Sequence, residues 1–263
     1  MVMQGTIRYD VRDGIAELTI DNETRRNAMS LSMWRSLPEL VARADRDHAV
    51  RAIVLQGAGD KAFCSGADIS QFGEVRSGET AVAAYDAVVA EGSRSLKHAA
   101  KPSIAVIRGI CFGGGVGLAM TCDIRLARDD ARFRVPAARL GLGYGYEGVR
   151  TFVQRIGYAA TADLFVSGRV VEAPEAERLT IANRVWPEDR FEQEVSAYLG
   201  QVGRNAPLTL KAAKAALSEL ARPEADQNPE AVAALVAACF ASEDYREGQA
   251  AFREKREPVF RGV

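Results

Sequence analysis

Two stretches, AFCSGADI (62–69) and RGICFGGGVGLAMTCDIRLA (108–127), decide how this chain folds. Each opens with a short apolar run of strand character and then breaks at small residues. The breaks are Cys64-Ser65-Gly66-Ala67-Asp68 in the first stretch and Gly113-Gly114-Gly115 in the second. Small residues let backbone N–H groups approach a ligand, and the helical run starting near Leu118 adds the positive partial charge of a helix N-terminus. Two such N–H groups facing one another form an oxyanion hole for a carbonyl oxygen. A GGG run taken alone is more often a tight packing turn than a ligand cradle.

Outward from these loops the pattern is strand, loop, helix. Residues 7–11 and 15–20 are strand-like and meet at Asp13-Gly14, a tight hairpin signal because both turn residues need positive φ. A helix follows from about Ser30, with Met33, Trp34, Leu37, Leu40, Val41 and Ala44 on one face and Pro38 as an internal irregularity. Residues 51–56 and 103–107 read as buried strands, 79–99 as a helix stopped at Lys101-Pro102, and 123–127 and 131–135 as further strands. Beyond Pro187 the chain is helical, in segments near 188–202, 207–221, 228–241 and 243–256. An α/β core with a helical C-terminal module follows from this order, divided as residues 1–200 and 201–263.

Composition narrows the chemistry. The 263 residues carry a formal net charge of −1, which gives no reason to expect nucleic acid or an anionic membrane as partner. Four cysteines without a CxxC pair, and only two histidines, His48 and His98, argue against a metal site. No apolar stretch is long and uncharged enough to span a bilayer, so a reducing, cytoplasmic setting is expected.

The joint order and spacing of AFCSGADI, RGICFGGGVGLAMTCDIRLA, ARFRVPAARLGL (131–142) and EGQAAFREKREPVF (247–260) resembles the enoyl-CoA hydratase/isomerase family, the crotonase superfamily. The resemblance implies a crotonase-like spiral of ββα units whose C-terminal helices mediate assembly into homotrimers or hexamers. It also implies CoA-thioester substrates, with coenzyme A entering only as part of the substrate and the enolate held by two backbone N–H groups. Carried onto this chain, those donors fall at Ser65 and Gly114. The Ala67-Asp68-Ile69 backbone is expected beside the CoA adenine. Arg25, Arg26, Phe252 and Lys255 match positions that hold its phosphates and adenine; Arg and Lys suit phosphate. Asp68 also reads as a cap of the following turn.

The resemblance breaks where hydratases carry two glutamates as paired acid and base. Those positions are Gly117 and Ala137, and neither side chain can move a proton. The nearest candidates lie in the loop GLGYGYEG (141–148). Glu147 opens a helix, where a carboxylate either caps or, if buried, acts as acid or base. Tyr144 matches a tyrosine in the methylmalonyl-CoA decarboxylase branch, and tyrosine is equally a pocket lining. Three functions follow: an isomerase, lyase or hydrolase acting on an enolisable thioester, a decarboxylase of a malonyl-CoA-type substrate, or a CoA-thioester-binding protein without efficient catalysis.

Overall fold

The computed structural model describes residues 5–68 and 79–263. The expected hairpin forms from β1 (Thr6–Arg12) and β2 (Ile15–Asp21), paired antiparallel from Thr6↔Asp21 to Arg12↔Ile15. Asp13 and Gly14 take φ of 49° and 78°, as a primed turn demands. Helix α1 (Leu31–Arg46) is capped by Ser30, whose Oγ accepts the Met33 N–H, and it buries Met33, Trp34, Leu37, Val41 and Ala44.

The remaining strands are divided between two sheets. The first has the order β1-β2-β3-β5-β7-β10, with β3 (Ala52–Gly57), β5 (Ser103–Ile107), β7 (Ile124–Arg128) and β10 (Arg184–Trp186). The second has the order β4-β6-β8-β9, with β4 (Ala62–Cys64), β6 (Ile110–Phe112), β8 (Arg132–Arg134) and β9 (Val171–Glu172). The pairs β3/β4, β5/β6 and β7/β8 each give their first strand to the large sheet and their second to the small one, and helices carry the chain onward. That repetition is the spiral of ββα units expected of the sequence. Parallel β3 and β5 are covered on both faces, which is why AIVL and SIAVI read as unbroken apolar runs.

The connecting helices are α2 (Glu79–Lys97), α3 (Gly114–Thr121), α4 (Ala137–Leu140), α5 (Tyr146–Ser167) and α6 (Ala173–Arg178). Four helices follow: α7 (Glu188–Arg204), α8 (Pro207–Leu220), α9 (Pro229–Ala241) and α10 (Glu243–Glu254). Helix α7 sets Phe191 and Val195 against Ile15, Val54, Ile104 and Leu126 on the outer face of the large sheet. It runs through residue 200 without interruption and ends at Arg204. Between the sheets lie Phe63, Phe133, Leu118, Ile53 and Leu55, all almost wholly buried. Each such side chain contributes roughly 1.5–3 kcal/mol of transfer free energy. No helix among the described residues is long and apolar enough to cross a membrane.

Candidate active site

The loop after β4 is fastened to the segment before α1. Ser65 donates its N–H to the Arg26 carbonyl at 3.0 Å and its Oγ–H to the Arg25 carbonyl at 3.1 Å. Met29 N donates to Gly66 O at 2.8 Å, and Asp68 N donates to Met29 O at 3.0 Å, a one-residue parallel bridge. Buried Asn27 braces both sides, its Nδ2 reaching Ala58 O and Ala62 O. The Asp68 carboxylate meets Arg25 Nη1 at 2.5 Å, so those two expected ligand residues pair with each other. Asp68 thus holds a guanidinium in place.

Helix α3 begins against this loop. A side chain at Gly115 would collide with the Cys64 carbonyl oxygen, so only glycine allows the helix N-terminus to seat on the end of β4. Gly66 has φ of 107°, and this left-handed backbone turns the following amide toward the helix. The Ala67 nitrogen lies 3.6 Å from the Cβ position of Gly114, and Gly114 N lies 3.3 Å from that of Gly66. Among the described residues, neither the Ala67 nor the Gly114 amide has an acceptor. Both face one gap at the helix N-terminus, where partial positive charge collects.

The Ser65 N–H, expected as the second donor, is committed to the Arg26 carbonyl, whereas the Ala67 N–H two positions on has no acceptor among the described residues. The signal in the sequence is Gly66: a glycine just before the candidate amide marks a peptide turned by positive φ.

The face of α3 beyond this gap stays open. Val116, Leu118, Ala119 and Met120 are buried, whereas Gly113, Gly114 and Gly117 are half-buried. Among the described residues, a Cβ at Gly117 would meet nothing within 4 Å. Pro136 Cδ lies 3.9 Å from the Cβ position of Gly113, so Pro136-Ala137 borders the same loop.

The expected acid/base loop is built differently from a buried catalytic site. Glu147 is 71% exposed and pairs with Arg150 at 3.4 Å, one turn along α5. A carboxylate so well solvated lacks the burial that the acid/base reading required, and it stands as a first-turn helix residue. Tyr144 is half-buried, its ring edge-on to Phe165 at 5.0 Å, and Phe165 in turn meets Phe152 at 5.1 Å. The tyrosine is oriented by aromatic packing. Cys64, beside the gap, is buried, and burial pushes its thiol up to about 12, so it stays protonated and is no nucleophile.

Ile69 lies outside the described residues. Arg25 and Arg26 are exposed at the mouth of the loop. Phe252 is 86% exposed on α10, and Lys255 caps that helix in the left-handed conformation. Among the described residues, no hydrogen bond, ion pair or ring contact links either of them to Arg25, Arg26, Ala67 or Asp68. A cleft of about 420 Å³ opens elsewhere, on the outer face of the large sheet between Glu17, Gln56, Arg108 and Leu199. It contains none of these residues, and its Arg108 is spent on Glu192 at 2.7–2.8 Å. No group of three or more His, Cys, Asp or Glu among the described residues is placed to hold a metal.

Comparison with known proteins bears directly on this arrangement. The enoyl-CoA hydratase/isomerase family matches residues 10–263. A probable enoyl-CoA hydratase of Rhizobium meliloti is 34% identical over 264 residues, covering 97% of this chain and 98% of that protein. The crotonyl-CoA hydratase of Syntrophomonas wolfei is 30% identical, covering 97% of each. An enoyl-CoA hydratase/carnithine racemase structure from Magnetospirillum magneticum superposes with a TM-score of 0.91 at 34% identity, over 98% of this chain and 96% of that one.

Proposed function

Because the chain belongs to the enoyl-CoA hydratase/isomerase family, we propose that it binds an acyl-CoA thioester with the carbonyl oxygen between the Ala67 and Gly114 amides. The observation carrying this reading is that two opposed N–H groups, without acceptors among the described residues, meet at the N-terminus of α3. When a bond at the α-carbon breaks, its electron pair moves into the thioester and negative charge gathers on that oxygen. Fixed donors aimed at it favour the enolate over the ground-state carbonyl. Arg25, positioned by Asp68, together with Arg26 and Lys255, serves the CoA phosphates, and Phe252 serves the adenine.

The chemistry is isomerisation or lyase chemistry on an enolisable thioester, outside the two-carboxylate hydration route. Gly117 and Ala137 carry no acid or base, and Glu147 is solvated. Decarboxylation of a malonyl-type thioester is favoured by the same observation as a second reading. Loss of CO2 leaves its electron pair on the α-carbon and so forms the enolate without a base. Tyr144 then lines the site.

The chain acts in a homotrimer or hexamer. Supporting this, α9 (PEAVAALVAACFA) is apolar at nearly every position yet buries no residue within its own chain. Four free cysteines are in keeping with a cytoplasmic setting.

The test is a panel of CoA thioesters incubated with purified protein and followed by mass spectrometry, in water and in D2O. Turnover or α-carbon deuterium exchange is expected with an enolisable thioester, and crotonyl-CoA hydration is expected to stay at background. Gly114→Pro removes one donor at the first helical position, where proline is tolerated. A loss of about 100-fold in turnover is expected, with the unfolding midpoint little changed. Full activity in that variant, or no thioester bound at all, overturns the reading.

A further inference from the structure

We infer that the acyl group held here carries a bulky apolar substituent, branched or aromatic, close to the thioester and lodged against Gly117. The inference rests on the reading that the thioester carbonyl sits between Ala67 and Gly114. Glycine inside a helix is unfavourable relative to alanine, so its presence asks for a reason. At Gly115 the reason is visible, because any side chain would strike the Cys64 carbonyl. At Gly117 neither packing nor backbone supplies one. Its φ is not among the positive values, and an added Cβ would meet nothing within 4 Å among the described residues.

The open side is also the ligand side. Gly117 follows the Gly114 donor by three residues, which places it about 4.5 Å along the helix axis and close to the same face. An acyl chain whose oxygen is fixed at Gly114 passes Gly117 two or three bonds beyond its carbonyl carbon. Every other residue between Gly115 and Thr121 is buried in the core, so this face is the part of α3 left for a ligand. Gly117 offers no side chain to that space, and among the described residues no polar or charged side-chain atom lies within 4 Å of its Cβ position. A straight 2-enoyl chain leaves that space empty. A substituent at the α- or β-carbon fills it and gains the transfer free energy of apolar burial.

Binding of acetyl-CoA, 3-methylcrotonyl-CoA and benzoyl-CoA, measured by calorimetry on the full chain, tests this. The protein is expected to bind the two bulky esters at least 10-fold more tightly than acetyl-CoA. Gly117→Leu fills the space without a clash and is expected to abolish that preference, with Gly117→Ala intermediate. Acetyl-CoA, which stops short of Gly117, keeps its affinity. Thermal unfolding of both variants at or above that of the unsubstituted protein confirms that the fold is kept. Equal affinity for all three esters in the unsubstituted protein, or equal weakening of all three by Gly117→Leu, overturns the inference while the oxyanion reading stands. Failure of every ester, acetyl-CoA included, overturns both.

Discussion

Ser65 and Ala67 sit two positions apart on one loop, and their amides have opposite fates. Ser65 closes on Arg26 O, whereas Ala67, turned by the positive φ of Gly66, faces Gly114. At the same scale, Asp68 is 7% exposed and holds Arg25, which is 40% exposed. Asp68→Asn weakens a charge-assisted bond at a partly solvated pair, so a loss of about 1 kcal/mol in urea denaturation is expected. If Arg25 serves the CoA phosphates, as proposed, the same variant should raise KM for the CoA ester and leave kcat within twofold. Thiol chemistry gives a second check. Cys64, Cys111 and Cys122 are buried, and burial raises all three thiols, Cys64 and Cys122 to about 12. Native protein at pH 8 should take up label only at Cys239, and denatured protein at all four. Labelling of Cys64 in the native state contradicts this seating of the loop.

Elements are joined by a few buried polar contacts as well as by apolar area. Helix α8 docks through Lys214, only 3% exposed, whose Nζ donates to both oxygens of Asp123 at 2.7 and 2.9 Å and to Lys97 O at 3.1 Å. Asp123 also accepts from Ser103 N and from Arg155 Nη2, so one carboxylate ties together β5, α5 and α8. Lys214→Met leaves that carboxylate with fewer partners in a partly buried site. A loss of about 3 kcal/mol is expected, the low end for breaking a buried pair, because Arg155 and Ser103 remain. Denaturation monitored by tryptophan fluorescence measures it; a loss below about 1 kcal/mol would mean the pair is not a structural tie. Within α5, Gly157 departs from helical geometry at φ 77° and ψ 170°, a conformation suited to glycine, and bends the helix between Phe152 and Phe165. That bend brings the two rings together and gives Tyr144 its packing surface.

Over the whole molecule, exposed apolar side chains gather in two stretches, α4–α5 with Tyr146, Tyr158 and Val166, and the C-terminal helices. Leu220 is 73% and Phe240 63% exposed, and Phe252 projects freely. Light scattering is expected to give a mass of three or six times the 28.4 kDa chain. Phe240→Asp should shift it toward the monomer without loss of helix content. The closing segment of the chain is held by carboxylates. Asp244 accepts the Arg261 and Gly262 N–H groups, and Glu247 accepts Val259 N and both Nη groups of Arg256. The Arg256 guanidinium and the Val259 amide lower the Glu247 carboxyl from 4.5 to about 2. A carboxyl lowered on folding adds stability that is complete above its unfolded value and is lost as pH falls toward the folded one. The unfolding midpoint should thus drop between pH 4.5 and 2, and Glu247→Gln should flatten part of that slope.

Much of this protein was legible along the chain because the signals are local or periodic. The Asp13-Gly14 turn, the Ser30 cap, the apolar face of α1 and the breaks between the last four helices each depend on residues within a turn or two of one another. The two small-residue loops and their common order were also legible, and with them the family. Membership of each strand in one of two sheets was not, because alternation between sheets leaves no mark on a three-residue strand such as β6 or β8. Nor was the engagement of the Ser65 N–H, which depends on Arg26 lying across the loop. The exposure of Glu147 likewise follows from the direction in which α5 leaves its turn. The sequence alone determined which backbone stretches can bring amides close to a ligand. Tertiary structure decided which of those amides are still free, because a hydrogen-bond donor is spent or spared only by what folds against it.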